Sequence, residues 1–362
     1  MKLPIDLKAV IEAATDIESA RNTPVSVSVL IDDSAPGDVA AHVRSAFVGA
    51  GAYARVTVGY FVGPAFSPYE GDDMAVIVAG FSEEVGRRAA EIRAAGVPVM
   101  VVTSMPRLVA DMASAYGNPI PEGDLVAPEG VEGCEADGDA ACESGDVAGA
   151  NAQSPEILDA PIPIDAAAAA ALDRRMGEWV VAACREKRLA LALSFPFVRR
   201  PLSLEAVSAT SLQNAGIGLV LFIPGADMPL MTLNQAKMLL QIAAAYGEPM
   251  SAARAKELAA IVGGAFACRS VARQVAGAVP AIGWAVKAGV GYAGTKAMGL
   301  AAVEYFERGG NIAGLAGVVS AATAKATQIA GDVAATPAGA RVFSTVKTAV
   351  RQGAASVLKK TE

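Results

Sequence analysis

The chain of 362 residues contains a single histidine, His42, and only four cysteines, so side chains that bind transition metals are scarce. Cys134 and Cys142 lie in a polar acidic stretch, whereas Cys184 and Cys268 lie in helical patterns, and neither pair has metal-ligand spacing. These features argue against a Cys/His zinc site and against a secreted disulfide framework. We therefore expect no metal and interpret the cysteines as structural.

Aromatic residues, at 5% of the chain, are too few for a base-stacking surface, so we expect no nucleic-acid partner. The first predicted strand is followed by DDSAPGDV, which has neither G-x-x-x-x-G-K-[ST] nor G-x-G-x-x-G. The closest match in the chain is GVGYAGTKA at 289–297, inside a helical pattern, and we interpret it as packing. The sequence therefore predicts no cofactor and no catalytic centre.

Charge and hydropathy divide the chain into two contrasting parts. Residues 1–165 carry 9 basic and 26 acidic side chains, whereas residues 166–362 carry 21 and 11. Hydrophobic residues make up 53% of the chain, and the mean hydropathy of +0.39 is high for a cytosolic protein and low for a transporter. A basic, apolar half indicates attraction to anionic lipid headgroups, or to the acidic half itself.

The first part alternates β-branched runs of strand length with helical patterns, which is typical of a mostly parallel sheet covered on both faces. Strands are predicted at 25–31, 56–62, 74–79 and 97–102, and helices at 36–50, 82–95 and 105–116. The preceding N-terminal segment has an amphipathic acidic helical pattern without the features of a signal peptide, so we expect the chain to begin in the cytoplasm.

We predict three segments from these changes in composition. Residues 1–127 form an α/β domain, 128–165 a disordered acidic linker, and 166–362 a helical, apolar and basic domain. The linker holds ten acidic residues and no basic one, and the alternative is a binding tail that folds against the basic half.

The apolar block NAGIGLVLFIPGADMPLMTLNQ is long enough for a bilayer but is interrupted by Pro224, Gly225, Asp227 and Pro229. These interruptions favour a helical hairpin or re-entrant element over one straight spanning helix. A buried turn between the core helices of a soluble domain is the alternative. Asp227 needs a partner in such surroundings, and we expect it to stabilise the turn.

The stretch 274–306 repeats small residues at helical spacing, a pattern that lets helix backbones approach closely. One stripe contains Ala285, Gly289, Ala293 and Ala297, and the other Gly291, Thr295 and Gly299. Lys287 and Lys296 must then snorkel, pair or face a protein interior. A tightly packed soluble helical hairpin also explains the pattern. Another Ala/Gly-rich helix is predicted at 310–330, before a basic amphipathic tail.

Three polar residues of the first part are further candidates. Asp32 and Asp33 follow the first predicted strand, where α/β domains commonly bind ligands, and paired carboxylates there could hold Mg²⁺. The interpretation that we favour is capping of the helix near Pro36, which needs only one of them. His42 has no serine or cysteine in a recognisable nucleophile turn, so we expect a surface or partly buried helix residue.

Residues 185–310 resemble the YcjF-like GTPase-associated domain of unknown function. The resemblance is carried by REKRLALALSFPF (185–197), the SLQNAGIGLVLFIPGADMPLMTLNQAKML block (211–239), IAAAYG (242–247), RAKEL (254–258) and GWAVKAGVGYAGTKAMG (283–299). It implies an all-helical, membrane-associated domain of no established activity. The signature positions are Pro224, Gly225, Asp227, Pro229, Asn234, Gln235, Tyr246, Gly247, Gly289, Gly291 and Lys296.

Upstream, MAVIVAGFSEEVGRRAAEIRAAGVPVMVVTSM resembles part of an Era- or Der-type small GTPase, with Thr103–Pro106 where that family has N-K-x-D. Without that motif and a phosphate loop, the α/β part resembles a degenerate GTPase.

The sequence thus predicts a non-enzymatic interaction or scaffold protein, at the cytoplasmic membrane or otherwise in the cytoplasm. Its expected partner is an anionic membrane, together with another protein or a second copy of the chain. Two alternatives stay open: a nucleotide-dependent switch with an unconventional phosphate site near Asp32–Gly37, and a soluble helical scaffold that self-assembles.

Overall fold

The computed structural model describes residues 6–61, 71–128, 162–220, 227–262 and 283–322. It divides into two compact units, one of residues 24–186 and the other of residues 1–23 together with 187–362. The first unit, which we call the α/β unit, contains a parallel sheet. The second, the helical unit, is built from helices in its described parts. The predicted combination of an α/β part and a helical part is confirmed.

The elements follow the predicted order along the chain. The helices are α1 (Leu7–Arg21), α2 (Gly37–Val48), α3 (Glu84–Ala94), α4 (Pro106–Ala115), α5 (Ala166–Ala183), α6 (Arg188–Ser194), α7 (Pro196–Val220), α8 (Asp227–Ala245), α9 (252–262) and α10 (Gly283–Glu307). The strands are β1 (Val25–Ile31), β2 (Ala54–Tyr60), β3 (Met74–Val78), β4 (Val99–Val102) and β5 (Leu125–Val126). Short 3-10 turns occupy Glu122–Asp124 and Ile312–Gly314, and a helical segment follows at 315–322.

The five strands are all parallel, in the order β2-β1-β3-β4-β5. This doubly wound order differs from the 3-2-1-4-5-6 order of the dinucleotide-binding Rossmann sheet, and its winding reverses between β1 and β3. Because parallel crossovers are almost always right-handed, we expect α2 and α3 on opposite faces of the sheet. β3 and β4 are buried along their whole length, which explains why their sequences are unbroken apolar runs.

The border between the units differs from the predicted one at both ends. α5 belongs to the α/β unit, where Arg175 donates to the Ala127 carbonyl at 2.9 Å and Trp179 Nε1 to Asp124 Oδ1 at 3.3 Å. α1 belongs to the helical unit, where the Arg21 guanidinium donates to the carbonyl oxygens of Gly247 and Glu248. The prediction followed changes in composition, whereas the units are set by which residues pack together.

In the helical unit, α7, α8 and α10 form a three-helix bundle. The break predicted around Pro224 lies outside the described residues, between α7 and α8. Along α7, Arg200 pairs with Glu307, Val207 approaches Gly299 and Asn214 approaches Gly291, so α7 and α10 are antiparallel. Gln235 of α8 contacts Thr295 of α10, and Tyr246 stacks on Phe306. The residue numbers differ by 60 in both pairs, so α8 and α10 are parallel.

Candidate functional site

The first candidate site lies at the carboxyl edge of the sheet, between β1 and β3. Ligands of doubly wound sheets bind at such a reversal point. Asp32 follows β1 directly and is 4% exposed, and Gly80 lies two residues beyond the end of β3. The sequence therefore places a carboxylate at the position where a ligand is expected.

The Asp32 carboxylate is bound by groups of the protein itself. Oδ2 accepts from Gly80 N at 2.9 Å, from Ser34 Oγ at 2.8 Å and from Ser82 N at 3.3 Å, and Oδ1 accepts from Ser34 N at 3.3 Å. The expectation that this residue caps α2 is wrong, since α2 begins after Pro36 without a side-chain cap. Asp32 instead ties the loop after β1 to the loop that precedes α3. We call Asp32, Ser34, Gly80 and Ser82 the Asp32 cluster.

Several backbone amides at this edge are already hydrogen-bonded. Besides the amides bound by Asp32, Phe81 N donates to Ser34 Oγ at 2.7 Å and Ala35 N to the Asp32 carbonyl at 2.9 Å. A Cβ on Gly80 would lie 2.3 Å from the Ser34 carbonyl carbon, so the two loops touch. The amides of Ser34, Ala35, Gly80, Phe81 and Ser82 are thus not available to the phosphate site considered near Asp32–Gly37, which stays a prediction.

The other candidate residues at this end of the α/β unit are Asp33 and Thr103. Asp33 is exposed, and no group of three or more His, Cys, Asp or Glu within the described ranges is arranged to hold a metal. Thr103, which the small-GTPase resemblance places at the start of N-K-x-D, accepts from Met105 N at 3.1 Å. Its hydroxyl closes a turn just before α4, which has no side-chain cap.

His42 lies in α2 and is partly buried, as predicted. Its Nε2 lies 2.8 Å from Asp173 Oδ1 of α5. Cys184 ends α5 and is buried, and its Sγ lies 3.9 Å from the Asp73 carbonyl oxygen. Burial, reinforced by the Asp73 charge, raises the pKa of the Cys184 thiol to about 12. A thiol held in this neutral form is a poor nucleophile, in keeping with a structural role.

The second candidate site is a buried polar cluster where α7, α8 and α10 meet, formed by Asn214, Asn234, Gln235 and Thr295. Asn214 Nδ2 donates to Thr295 Oγ1 at 2.9 Å and to the Met231 carbonyl at 3.3 Å. Gln235 Nε2 donates to Thr295 Oγ1 at 2.8 Å, and Asn234 Nδ2 to Asn214 Oδ1 at 3.1 Å. We call these four residues the Asn214 cluster.

Thr295 is the centre of the Asn214 cluster. Its hydroxyl accepts hydrogen bonds from the side-chain amides of Asn214 and Gln235 and donates one to the Gly291 carbonyl at 2.7 Å. Its hydrogen-bonding capacity is therefore filled. Asn234 and Gln235, singled out by the resemblance, thus join Asn214, which lies in the same sequence block but was not singled out. The cluster links three helices by neutral side chains and holds no titratable group.

Two glycines of the predicted stripe lie where α10 approaches α7. A Cβ on Gly291 would lie 3.1 Å from the Asn214 carbonyl oxygen, and one on Gly299 would lie 2.4 Å from a Val207 methyl. The stripe of Gly291, Thr295 and Gly299 therefore does face a neighbouring helix. Gly289, on the other predicted stripe, lies inside α10.

The other signature residues are spread over the helical unit. Gly247 has φ of +92° and ends α8, a conformation that glycine adopts without strain. Tyr246 stacks on Phe306 with ring centroids 6.0 Å apart. Burial, followed by the Glu307 charge, raises the pKa of the Tyr246 hydroxyl. Lys296 is exposed, with its ammonium 5.6 Å from the centre of the Tyr292 ring.

Four signature residues lie between the end of α7 and the first turn of α8. Pro224 and Gly225 lie outside the described residues, and Asp227 is the first residue of α8, with its side chain outside the description. Pro229 lies in the first turn of that helix, where proline is tolerated, and is exposed. The proposed partner of Asp227 therefore stays a prediction.

The bundle of α7, α8 and α10 differs sharply between its two ends. At one end, Arg188 pairs with Glu205, Arg200 with Glu307 and Arg308 with Glu304. We call this the ion-paired end. At the other, the hairpin end, residues 214–236 and 283–291 contain only Asp227 and Lys287 as charged residues. Among the helices that the structure describes, none is both long and apolar enough to cross a membrane.

Comparison with known proteins finds no matching family model, no similar curated protein and no similar solved structure.

Proposed function

We propose that the protein is a non-enzymatic, membrane-associated interaction protein whose helical unit docks on an anionic membrane by its hairpin end. The observation that carries the proposal is the separation of charge along the bundle. Ion pairs gather at the end near Arg200 and Glu307, while apolar and small residues gather at the other. A helix assembly with one end poor in charge matches the two environments of a membrane surface.

The described helices of the hairpin end fit shallow insertion. The described part of α7 extends six residues beyond Asn214, a rise of about 9 Å at 1.5 Å per residue. The described part of α10 extends eight residues before Gly291, a rise of about 12 Å. Amphipathic helices bury their apolar face about 5–10 Å into the lipid, whereas a bilayer core is about 30 Å thick. This end is therefore suited to entering one leaflet.

Charge around the hairpin end suits anionic headgroups. Residue numbers of neighbouring positions in the parallel helices α8 and α10 differ by 60, so Lys237 and Lys296 lie at nearly the same height along the bundle. Lys287 lies closer to the tip. The helical unit as a whole carries 21 basic and 12 acidic residues. Lysines at the level of the headgroups would add electrostatic attraction to apolar insertion.

The Asp32 cluster supports the non-enzymatic part of the proposal. The reversal point of the sheet, where a nucleotide-dependent switch would hold its phosphates, is filled by the protein's own loops and a carboxylate. The α/β unit, a degenerate GTPase-like domain in this proposal, then acts as an interaction module.

Flotation of the full-length protein with liposomes tests membrane docking. We expect flotation with anionic vesicles, weaker flotation with neutral ones, and retention at high salt because apolar contacts persist when charges are screened. Leu230→Glu, at a residue 47% exposed in the first turn of α8, is expected to reduce the floated fraction at least fivefold. Leu300→Glu is the matched control, since Leu300 is 41% exposed but lies toward the ion-paired end.

Two outcomes would overturn the proposal: no flotation of the parent protein, or equal losses in the two variants. Light scattering of the detergent-free protein separates docking from self-assembly. An oligomer that Leu230→Glu dissociates, without vesicle binding by the parent, would identify the hairpin end as an interface between copies.

A further inference from the structure

The α/β unit carries an exposed surface at the carboxyl edge of the sheet that combines aromatic rings and carboxylates. It consists of Asp33, Phe81, Glu83 and Tyr116, which we call the aromatic–acidic patch. These residues are neighbours, because Phe81 N donates to Ser34 Oγ at 2.7 Å and the Glu83 carboxylate lies close enough to the Tyr116 hydroxyl to raise its pKa. The patch therefore runs from the loop after β1 to the end of α4.

The rings of the patch are open to solvent although they are large and apolar. Phe81 is 52% and Tyr116 is 55% exposed, and Asp33 and Glu83 are exposed as well. Neither carboxylate belongs to an ion pair with any described residue, whereas the nearby Glu84 and Glu91 are both paired with Arg88. The hydrogen bond and charge of Glu83 raise the pKa of the Tyr116 hydroxyl, as expected beside an unneutralised carboxylate.

The loop that carries Phe81 is fixed by contacts with buried residues. Gly80 N and Ser82 N are bound by the buried Asp32 carboxylate, and the loop after β1 packs on Gly80 so closely that a Cβ would not fit. An exposed phenylalanine on such a fixed loop costs little further ordering when a partner binds it. The Asp32 cluster thus positions the patch.

We infer that the aromatic–acidic patch binds an arginine-bearing, cationic peptide segment of a partner protein. A guanidinium stacks on aromatic faces and donates to carboxylates with its planar fork, so it matches both features of the patch. The unit carries 9 basic and 25 acidic residues, which attracts cationic partners and repels anionic ones. This partner is distinct from the membrane proposed for the helical unit.

Fluorescence anisotropy with the full-length protein and a labelled Gly/Ser peptide carrying three arginines tests the inference. We expect Phe81→Ala to raise Kd about tenfold, and we expect the same increase from the double variant Asp33→Asn/Glu83→Gln. Replacing the three arginines by lysines is expected to raise Kd at least threefold, because an ammonium lacks the planar fork.

Matched controls separate the patch from general acidity. Tyr53→Ala removes an equally exposed ring at the amino edge of the sheet, and Glu122→Gln removes an exposed carboxylate elsewhere in the unit. Both are expected to change Kd less than twofold, and the acidic stretch 129–161 is common to every variant. The inference is overturned if the parent binds this peptide no better than an arginine-free one, or if patch and control variants weaken binding equally.

Discussion

The Asp32 cluster of the α/β unit and the Asn214 cluster of the helical unit are built in opposite ways. In the α/β unit a single carboxylate, Asp32, gathers backbone amides and a hydroxyl from two loops. In the helical unit neutral side chains from three helices bind one another around Thr295. The first cluster shapes the edge of a sheet, and the second fixes how helices align.

The difference predicts how much free energy of unfolding each unit loses when a polar group of its cluster is removed. A buried carboxylate without a cation is stable only because several N–H groups point at it, so its removal leaves those donors unsatisfied. A neutral cluster carries no charge to bury, and each of its bonds is individually modest. Substitutions should therefore be more damaging in the Asp32 cluster than in the Asn214 cluster.

Asp32→Ala should have the largest effect. We expect it to destabilise the α/β unit by about 3–5 kcal/mol, because the buried amide of Gly80 and the part-buried amides of Ser34 and Ser82 would lose their acceptor. Native-state hydrogen exchange of peptides covering β1 and β3 reports this unit alone. Asp33→Ala, at the exposed neighbour, is the control and should stay within about 0.5 kcal/mol. Equal effects of the two substitutions would contradict the assigned role.

Thr295→Val should follow, with a loss of about 2–3 kcal/mol in the helical unit. Valine keeps the volume but removes the hydroxyl that accepts from Asn214 and Gln235. Hydrogen exchange of peptides from α7 and α10 measures the change. Ser211→Ala removes a buried hydroxyl bonded only within α7, to the Val207 carbonyl, and should cost less than about 1 kcal/mol. A loss from Thr295→Val no greater than that of the control would show that the cluster does not hold the helices together.

Two glycines of α10 should respond with opposite signs to the same change. Gly299→Ala should cost about 1–2 kcal/mol, because the new methyl would lie 2.4 Å from a Val207 methyl of α7. At Gly294 a Cβ would meet no atom within 4 Å, so Gly294→Ala should stabilise the helix by about 0.5–1 kcal/mol. Thermal unfolding of both variants checks this contrast, and two shifts of the same sign would refute the close approach of α7.

Much of the α/β unit could be predicted from the sequence, because its central strands are short apolar runs between turn residues. The predicted strand at 25–31 is β1, and the one at 74–79 extends a single residue past β3. β5 was missed, since two residues make no recognisable run. The role of Asp32 was also missed, because its partner Gly80 is 48 residues away and strand order is not a local property.

The helical unit was predictable in its spacing and not in its partners. The stripe through Gly291 and Gly299 correctly indicated a close helix contact, whereas nothing in the stripe identifies α7 as the neighbour. The sequence likewise does not show where α1 packs. Its Val10 and Ala14 share a hydrophobic core with residues of α8 and α9, which are more than 200 positions away.

The smallest effect is expected at a partly exposed polar contact, the one between His42 Nε2 in α2 and Asp173 Oδ1 in α5. The two side chains are 21% and 39% exposed, so water competes for both partners. A double-mutant cycle of His42→Ala and Asp173→Ala, followed by urea unfolding, should give a coupling of about 0.5 kcal/mol. Leu172 and Met176 of α5 are fully buried and should hold this helix when the contact is lost. A coupling above about 2 kcal/mol would mean that the pair, and not this apolar contact, fixes α5 in the unit.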